Sequence, residues 1–121
     1  MSKNIIFSTS TELTVLPADT IVYIIADGNY STIRTLNGEK YVLTLQLGHI
    51  ERHVANTLGN DEPHFIRIGK SLMVNCQFIN YINPTRQRLI LSDCRTFRYE
   101  LSASKEALKS LKEYLEKEVV E

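Results

Sequence analysis

Ile21-Val22-Tyr23-Ile24-Ile25-Ala26-Asp27-Gly28-Asn29-Tyr30-Ser31-Thr32-Ile33-Arg34-Thr35-Leu36 decides the fold class. A β-branched and aromatic run over residues 21–25 stops at Asp27-Gly28-Asn29, and residues 30–36 then alternate, with Ile33 set among Thr and Ser. Such side chains suit a pleated, half-buried surface, while Asp, Gly and Asn suit the turn between two strands. This is a hairpin. Immediately after it, Asn37-Gly38 suits the positive φ angles of a type I′ turn and leads into Tyr41-Val42-Leu43-Thr44-Leu45, so the first half of the chain reads as a β-meander.

Further along, Leu47, Ile50, Val54 and Leu58 fall at helical spacing and Gly59-Asn60 supplies a stop, which predicts an amphipathic helix over residues 46–58. Strands resume after Pro63: Phe65–Ile68, Leu72–Val74, Phe78–Ile82, Arg88–Leu91 and Phe97–Leu101 are short apolar or alternating segments parted by Gly69-Lys70-Ser71, Asn83-Pro84 and Ser92-Asp93. Leu108, Leu111, Leu115 and Val119 mark a last helix beginning at about Ser104, whose hydroxyl suits an N-cap, with Glu106 in the first turn. The expected architecture is mostly β: packed antiparallel sheets built from hairpins, with one mid-chain helix and one C-terminal helix.

No repeat, low-complexity tract or linker interrupts the 121 residues, which read as one domain over 1–121. No run of apolar residues is long enough to span a membrane, and Ile5-Ile6-Phe7 is too short for the core of a secretory signal, so a cytoplasmic home is expected. Cys76 and Cys94 are too few for a disulfide framework and read as thiols. The sequon Asn29-Tyr30-Ser31 is idle in that compartment.

Fourteen basic and fourteen acidic residues cancel, but unevenly: residues 1–62 carry −3, residues 63–109 carry +5 and residues 110–121 carry −2. A local basic surplus within a neutral chain fits a protein that turns one face to a polyanion, a distribution that solvated strands also produce.

Gly69-Lys70-Ser71 resembles the tail of a phosphate-binding P-loop, but His64 stands where the first glycine is needed, and the following Leu72-Met73-Val74-Asn75 reads as a strand where a helix is required. His49 and His53 stand four apart on the expected helix, but Glu51 falls two places after His49, turned away from that face, where a zinc-protease motif needs it next to the first His, and no third ligand is suggested nearby. No nucleophile elbow, Cys-His pair or carboxylate pair is placed by the sequence. No catalytic residue, metal or cofactor is nominated.

Phe65-Ile66-Arg67-Ile68-Gly69-Lys70-Ser71-Leu72-Met73-Val74-Asn75, followed by Ile79 and Ile82 and preceded by Asp27-Gly28-Asn29-Tyr30-Ser31, resembles the LytTR (LytR/AlgR-type) DNA-binding domain. That family has an acidic-Gly-Asn-Tyr hairpin, a Phe-x-Arg-x-x-x-Ser-x-x-Val-Asn motif and a late Ser-Arg-like element that opens a C-terminal helix. The likeness spans about residues 5–117. It implies packed antiparallel sheets that read double-stranded DNA with loops, two of them in successive major grooves, in a transcriptional regulator without chemistry of its own.

Carried over residue by residue, the resemblance places the DNA-binding positions at Asn29, Tyr30 and Ser31, at Gly69, Lys70 and Ser71, and at Ser104 and Lys105, with Arg67 as a further contact. Asn29 can pair with adenine, Lys70 can reach guanine or phosphate, and serine hydroxyls can donate to phosphate oxygens. Arg34, Arg86 and Arg88 join Arg67 as candidates for backbone attraction. Each has a plainer reading: Asn29 suits a left-handed turn residue, Lys70 a solubilising charge, and Arg67 and Asn75 a brace for the fold.

The chain departs from the family where a His and an Arg are common and it has Gly69 and Lys70, and where Lys105 replaces the commoner Arg; Lys is a point charge, not a planar fork. Glu106, Glu113, Glu116, Glu118 and Glu121 would repel phosphate if they faced it. The resemblance also implies partners: a homodimer on repeated half-sites, and a receiver domain or sensor that controls the output. The alternative is a protein-interaction module of the same fold that has lost DNA binding.

Overall fold

β3 (Ile21–Asp27) and β4 (Tyr30–Thr35) form the expected hairpin at the centre of a five-stranded antiparallel sheet. The computed structural model describes residues 3–117. The sheet is completed by β5 (Lys40–Leu43) on one side of the hairpin and by β7 (Leu72–Asn75) and β6 (Phe65–Ile68) on the other, in the order β5-β4-β3-β7-β6. β8 (Ile79–Asn83), β9 (Arg88–Ser92) and β10 (Arg98–Ser102) make a second antiparallel sheet in the order β10-β9-β8. The architecture is mostly β with two helices, as expected.

The strand alternation sorts the side chains into two cores. On one face, Ile24, Ile33, Leu43 and Met73 pack against α1 (Leu47–Leu58), which contributes Leu47, Ile50, Val54 and Leu58. On the other, Tyr23, Ile68, Leu72 and Val74 meet Leu89 and Leu91 of the three-stranded sheet and Leu108 and Leu111 of α2 (Lys105–Glu116). Each fully buried aliphatic side chain of this kind stabilises the fold by about 1.5–3 kcal/mol. β3 is thus buried on both sides over Ile21–Ile24, which explains its near-continuous apolar run.

α1 begins and ends as read, and α2 begins as read, its described course running to Glu116. Gly59, at φ 56, closes α1 with its N–H on the Ala55 carbonyl, and Ser104 caps α2 by accepting from the Ala107 N–H at 3.1 Å. Val119, the last expected helical position, and Glu118 and Glu121 lie outside the described residues.

Two features differ from the sequence reading. The β4–β5 connection is a three-residue loop, in which the Gly38 N–H bonds the Thr35 carbonyl and only Gly38 has a positive φ, of 87°. This is a turn followed by a left-handed glycine, and the I′ turn expected at Asn37-Gly38 does not form. The other is a hairpin at the start, β1 (Asn4–Ser8) paired with β2 (Leu13–Pro17), which inserts Ile5, Phe7 and Leu16 into the α1-side core.

Candidate nucleic-acid interface

The β3–β4 turn is two residues long, because Asp27 pairs with Tyr30. Gly28 takes the positive φ, 63°, and Asn29 does not, the pattern of a II′ turn. The left-handed conformation that Asn29 suits by sequence is therefore supplied by its neighbour, and Asn29 stands exposed at the tip. Tyr30 is 51% exposed. Ser31, one step along the strand, points the other way: it is wholly buried and its hydroxyl donates to the Leu45 carbonyl at 2.7 Å, tying the turn to the segment that enters α1.

A second bend, Gly69-Lys70-Ser71, joins β6 to β7 between the paired residues Ile68 and Leu72. Gly69 takes φ 64, and all three residues are exposed. The strands on either side make this a hairpin bend with no helix behind it, unlike a P-loop. Two carbonyls of the bend are turned inward. Lys70 O accepts from Arg67 Nη2 at 2.6 Å, and Ser71 O accepts from the Ala26 N–H at 2.8 Å. The second contact joins this bend to the strand that leads into the first. The Lys70 ammonium has no hydrogen-bond or ion-pair partner among the described residues.

The third element is the start of α2, where Ser104 and Lys105 are exposed. A Cβ at Gly69 would stand 3.8 Å from that of Ala107, so the second bend abuts the first turn of α2. Glu106 and Gly69 line the same groove between β6 and α2, which puts one carboxylate where the second and third elements meet. The three elements, far apart in sequence, form one contiguous series of contacts at one end of the five-stranded sheet.

Arginines fall into distinct places. Arg67 is committed within the fold, with Nη1 on Glu51 Oε1 at 2.8 Å and Nη2 on the bend. Arg34 lies toward the other end of β4, where Nη1 reaches the Gly38 carbonyl at 3.2 Å and the guanidinium sits 5.2 Å over the Tyr99 ring. Arg88 pairs with Glu100 at 2.8 Å, and Arg98 approaches the same carboxylate at 3.4 Å. That hydrogen bond, foremost among the causes, holds the Glu100 carboxyl below its usual range and raises the Arg88 guanidinium. Arg86 is exposed in the β8–β9 turn. Since Arg88 pairs with Ser102, two residues before the α2 cap, this turn lies on the α2 side of its sheet.

Sequence reasoning had no means of finding Glu51, Ala26 and Leu45, which fix the bends from elsewhere in the chain. His53, on α1, places Nε2 2.6 Å from the Ile6 carbonyl and its ring against Phe7. Among the described residues, no group of three or more His, Cys, Asp or Glu is placed to hold a metal ion. Nor is any helix among them long and apolar enough to cross a membrane.

The family model of the LytTr DNA-binding domain matches residues 11–116. A solved LytTr DNA-binding domain from Bacillus cereus has the same fold, with a TM-score of 0.62 and 18% identity over 95% of this chain and 98% of that one. Among curated proteins, none matches the sequence significantly.

Proposed function

Because the chain belongs to the LytTR family of DNA-binding domains, we propose that it reads double-stranded DNA sequence-specifically through the bends at 28–31 and 69–71 and the start of α2. Family membership carries DNA binding and a part in transcription regulation; the assignment of loops to grooves is our reading. What supports it is the contiguity of the three elements, through the 2.8 Å Ala26–Ser71 hydrogen bond and the 3.8 Å approach of Gly69 to Ala107. Donors carried by rigid strands can read base edges as a recognition helix does, while lysines and hydroxyls hold phosphates.

Exposure divides the candidate residues into roles. Asn29 and Tyr30 at one tip, Gly69, Lys70 and Ser71 at the next, and Ser104 and Lys105 at the third face outward and are assigned to the DNA. Ser31 braces the first bend from inside. The 121 residues act as one domain in the cytoplasm, without catalysis, and bind as two copies on repeated half-sites. The Bacillus cereus domain is assigned to a methyl-accepting/DNA response regulator, which favours a receiver domain or sensor as the controlling partner here.

Selection of bound duplexes from a random pool, followed by gel shift across salt concentrations, tests this reading. The expected result is one enriched motif whose affinity falls steeply with salt, by a log–log slope of about −0.9 per phosphate neutralised. Failure to enrich any motif, with no duplex bound at low salt, would leave the protein-interaction alternative in its place.

A further inference from the structure

Arg67 occupies a junction of three elements. It lies on the edge strand β6, in register with Met73, on the face of the sheet that α1 covers. One guanidinium nitrogen reaches Glu51 of α1 at 2.8 Å and the other reaches the carbonyl of Lys70 at 2.6 Å, while Nε is buried with no hydrogen-bond partner among the described residues. A planar guanidinium can hold two acceptors in fixed directions at once, which a flexible ammonium cannot. Its charge is matched by Glu51, and its side chain is only 28% exposed. These are poor attributes for gripping a phosphate and good ones for setting the orientation of the peptide that carries Lys70.

We propose that Arg67 is a positioning residue, anchored on α1 by Glu51, that holds the Lys70 bend in its DNA-binding conformation without touching DNA. This rests on reading the 69–71 bend as a DNA-contacting element. The bend needs such a brace because Gly69, at φ 64, is permissive backbone and the Lys70 side chain has no partner among the described residues. With Lys70 O drawn toward Arg67 and Ser71 O toward Ala26, two carbonyls that would repel phosphate are turned into the protein.

The sign of one substitution separates this role from a phosphate contact. Removing a carboxylate near a polyanion tightens binding by plain electrostatics, so Glu51→Gln on a bystander would raise affinity. As the anchor of Arg67, the same change weakens affinity about fivefold, the scale on which an ion pair couples to a neighbouring loop, and leaves the salt slope unchanged. The experiment uses the full chain and a duplex selected from a random pool, with unfolding in urea confirming that each variant is folded. In an Arg67→Gln background, Glu51→Gln should bring no further weakening. Tighter or unaltered binding by Glu51→Gln overturns the proposal, and so does a salt slope reduced by about one phosphate in Arg67→Gln alone, which would mark Arg67 as a contact. Lys70→Ala, measured alongside, should lower both affinity and slope. If it changes neither, the reading of the bend itself fails, which is a separate result.

Discussion

Asn75, at the end of β7, donates from Nδ2 to the carbonyl of Ile21, 54 positions earlier, at 3.0 Å, and accepts the Gln77 N–H on Oδ1 at 3.1 Å. Both bonds are made by a wholly buried side chain. One amide therefore fixes where β3 begins and starts the 3-10 turn over Cys76–Phe78. Asn75→Ala strands a buried acceptor and a donor, and each such loss costs about 1–3 kcal/mol. The expected destabilisation is about 2–4 kcal/mol in urea unfolding. DNA affinity per folded molecule should be unaltered, because Asn75 lies at the opposite end of β7 from the Lys70 bend.

Tyr99 joins the two sheets, with its hydroxyl donating to the Thr35 carbonyl at 2.9 Å and its ring against Tyr23 and Phe97. Tyr99→Phe keeps the ring contacts and removes the hydrogen bond, so stability should fall by about 1 kcal/mol. Denaturant titration measures the loss, and the DNA-binding curve should overlay that of the parent protein.

Tyr30 and Ser31 are adjacent in sequence but differ in fate. Tyr30→Ala should weaken duplex binding about tenfold, since a large ring at a loop tip is lost, while stability changes by less than about 0.5 kcal/mol as for other surface positions. Ser31→Ala, which deprives the Leu45 carbonyl of its donor, should cost about 1–2 kcal/mol of stability and leave the salt slope of binding unchanged. Gel shift and urea unfolding of both variants check the contrast.

Asp93 is ringed by donors: the Thr96 hydroxyl and the N–H groups of Arg95, Thr96 and Phe97. The Thr96 hydroxyl foremost, with the backbone N–H groups, holds this carboxyl well below its ordinary value of 3.8. A carboxyl depressed in the folded state contributes stability that is complete above its unfolded pKa and is lost as pH falls toward the folded one. Stability should accordingly decline below about pH 4, and the decline should be shallower in Asp93→Asn, which does not titrate. Urea unfolding repeated from about pH 6 to about pH 2 reads the difference.

Gly69 has room for a Cβ, 3.8 Å from Ala107, so the cost of substitution there is conformational. With φ at 64, Gly69→Ala should destabilise by about 1 kcal/mol, and Gly69→Asn by less, because Asn enters the left-handed region more readily. A β-branched Gly69→Val should be the worst of the three. Thermal or urea unfolding ranks them.

Much of the fold was legible because local signals and tertiary burial agreed. The β3–β4 hairpin had strand formers on both sides of a glycine turn, and both helices had an apolar stripe with a cap or a glycine stop. The β1–β2 hairpin was not legible. Its buried residues are Ile5, Phe7 and Leu16, while Ile6, Leu13 and Val15 face outward, so polarity does not alternate with burial along either strand.

In the candidate site, the positions of the bends were readable and the directions of their side chains were not. Ser31 is buried because the Leu45 carbonyl needs a donor, and Arg67 is held because Glu51 stands across from it; both facts arise only after α1 has docked on the sheet. The left-handed backbone that the plainer reading gave Asn29 is carried by Gly28 instead, and Asn29 stands exposed beside it.

The burial of β3 on both sides over Ile21–Ile24 has an evolutionary corollary. With neither face of that stretch bare, the DNA contacts proposed above fall on the rim, at exposed tip residues such as Asn29, Lys70 and Lys105, apart from the residues that fill the interior. Target preference can therefore drift by exchanging a few tip residues while the interior stays constant, so paralogues could diverge in operator choice without having to refold.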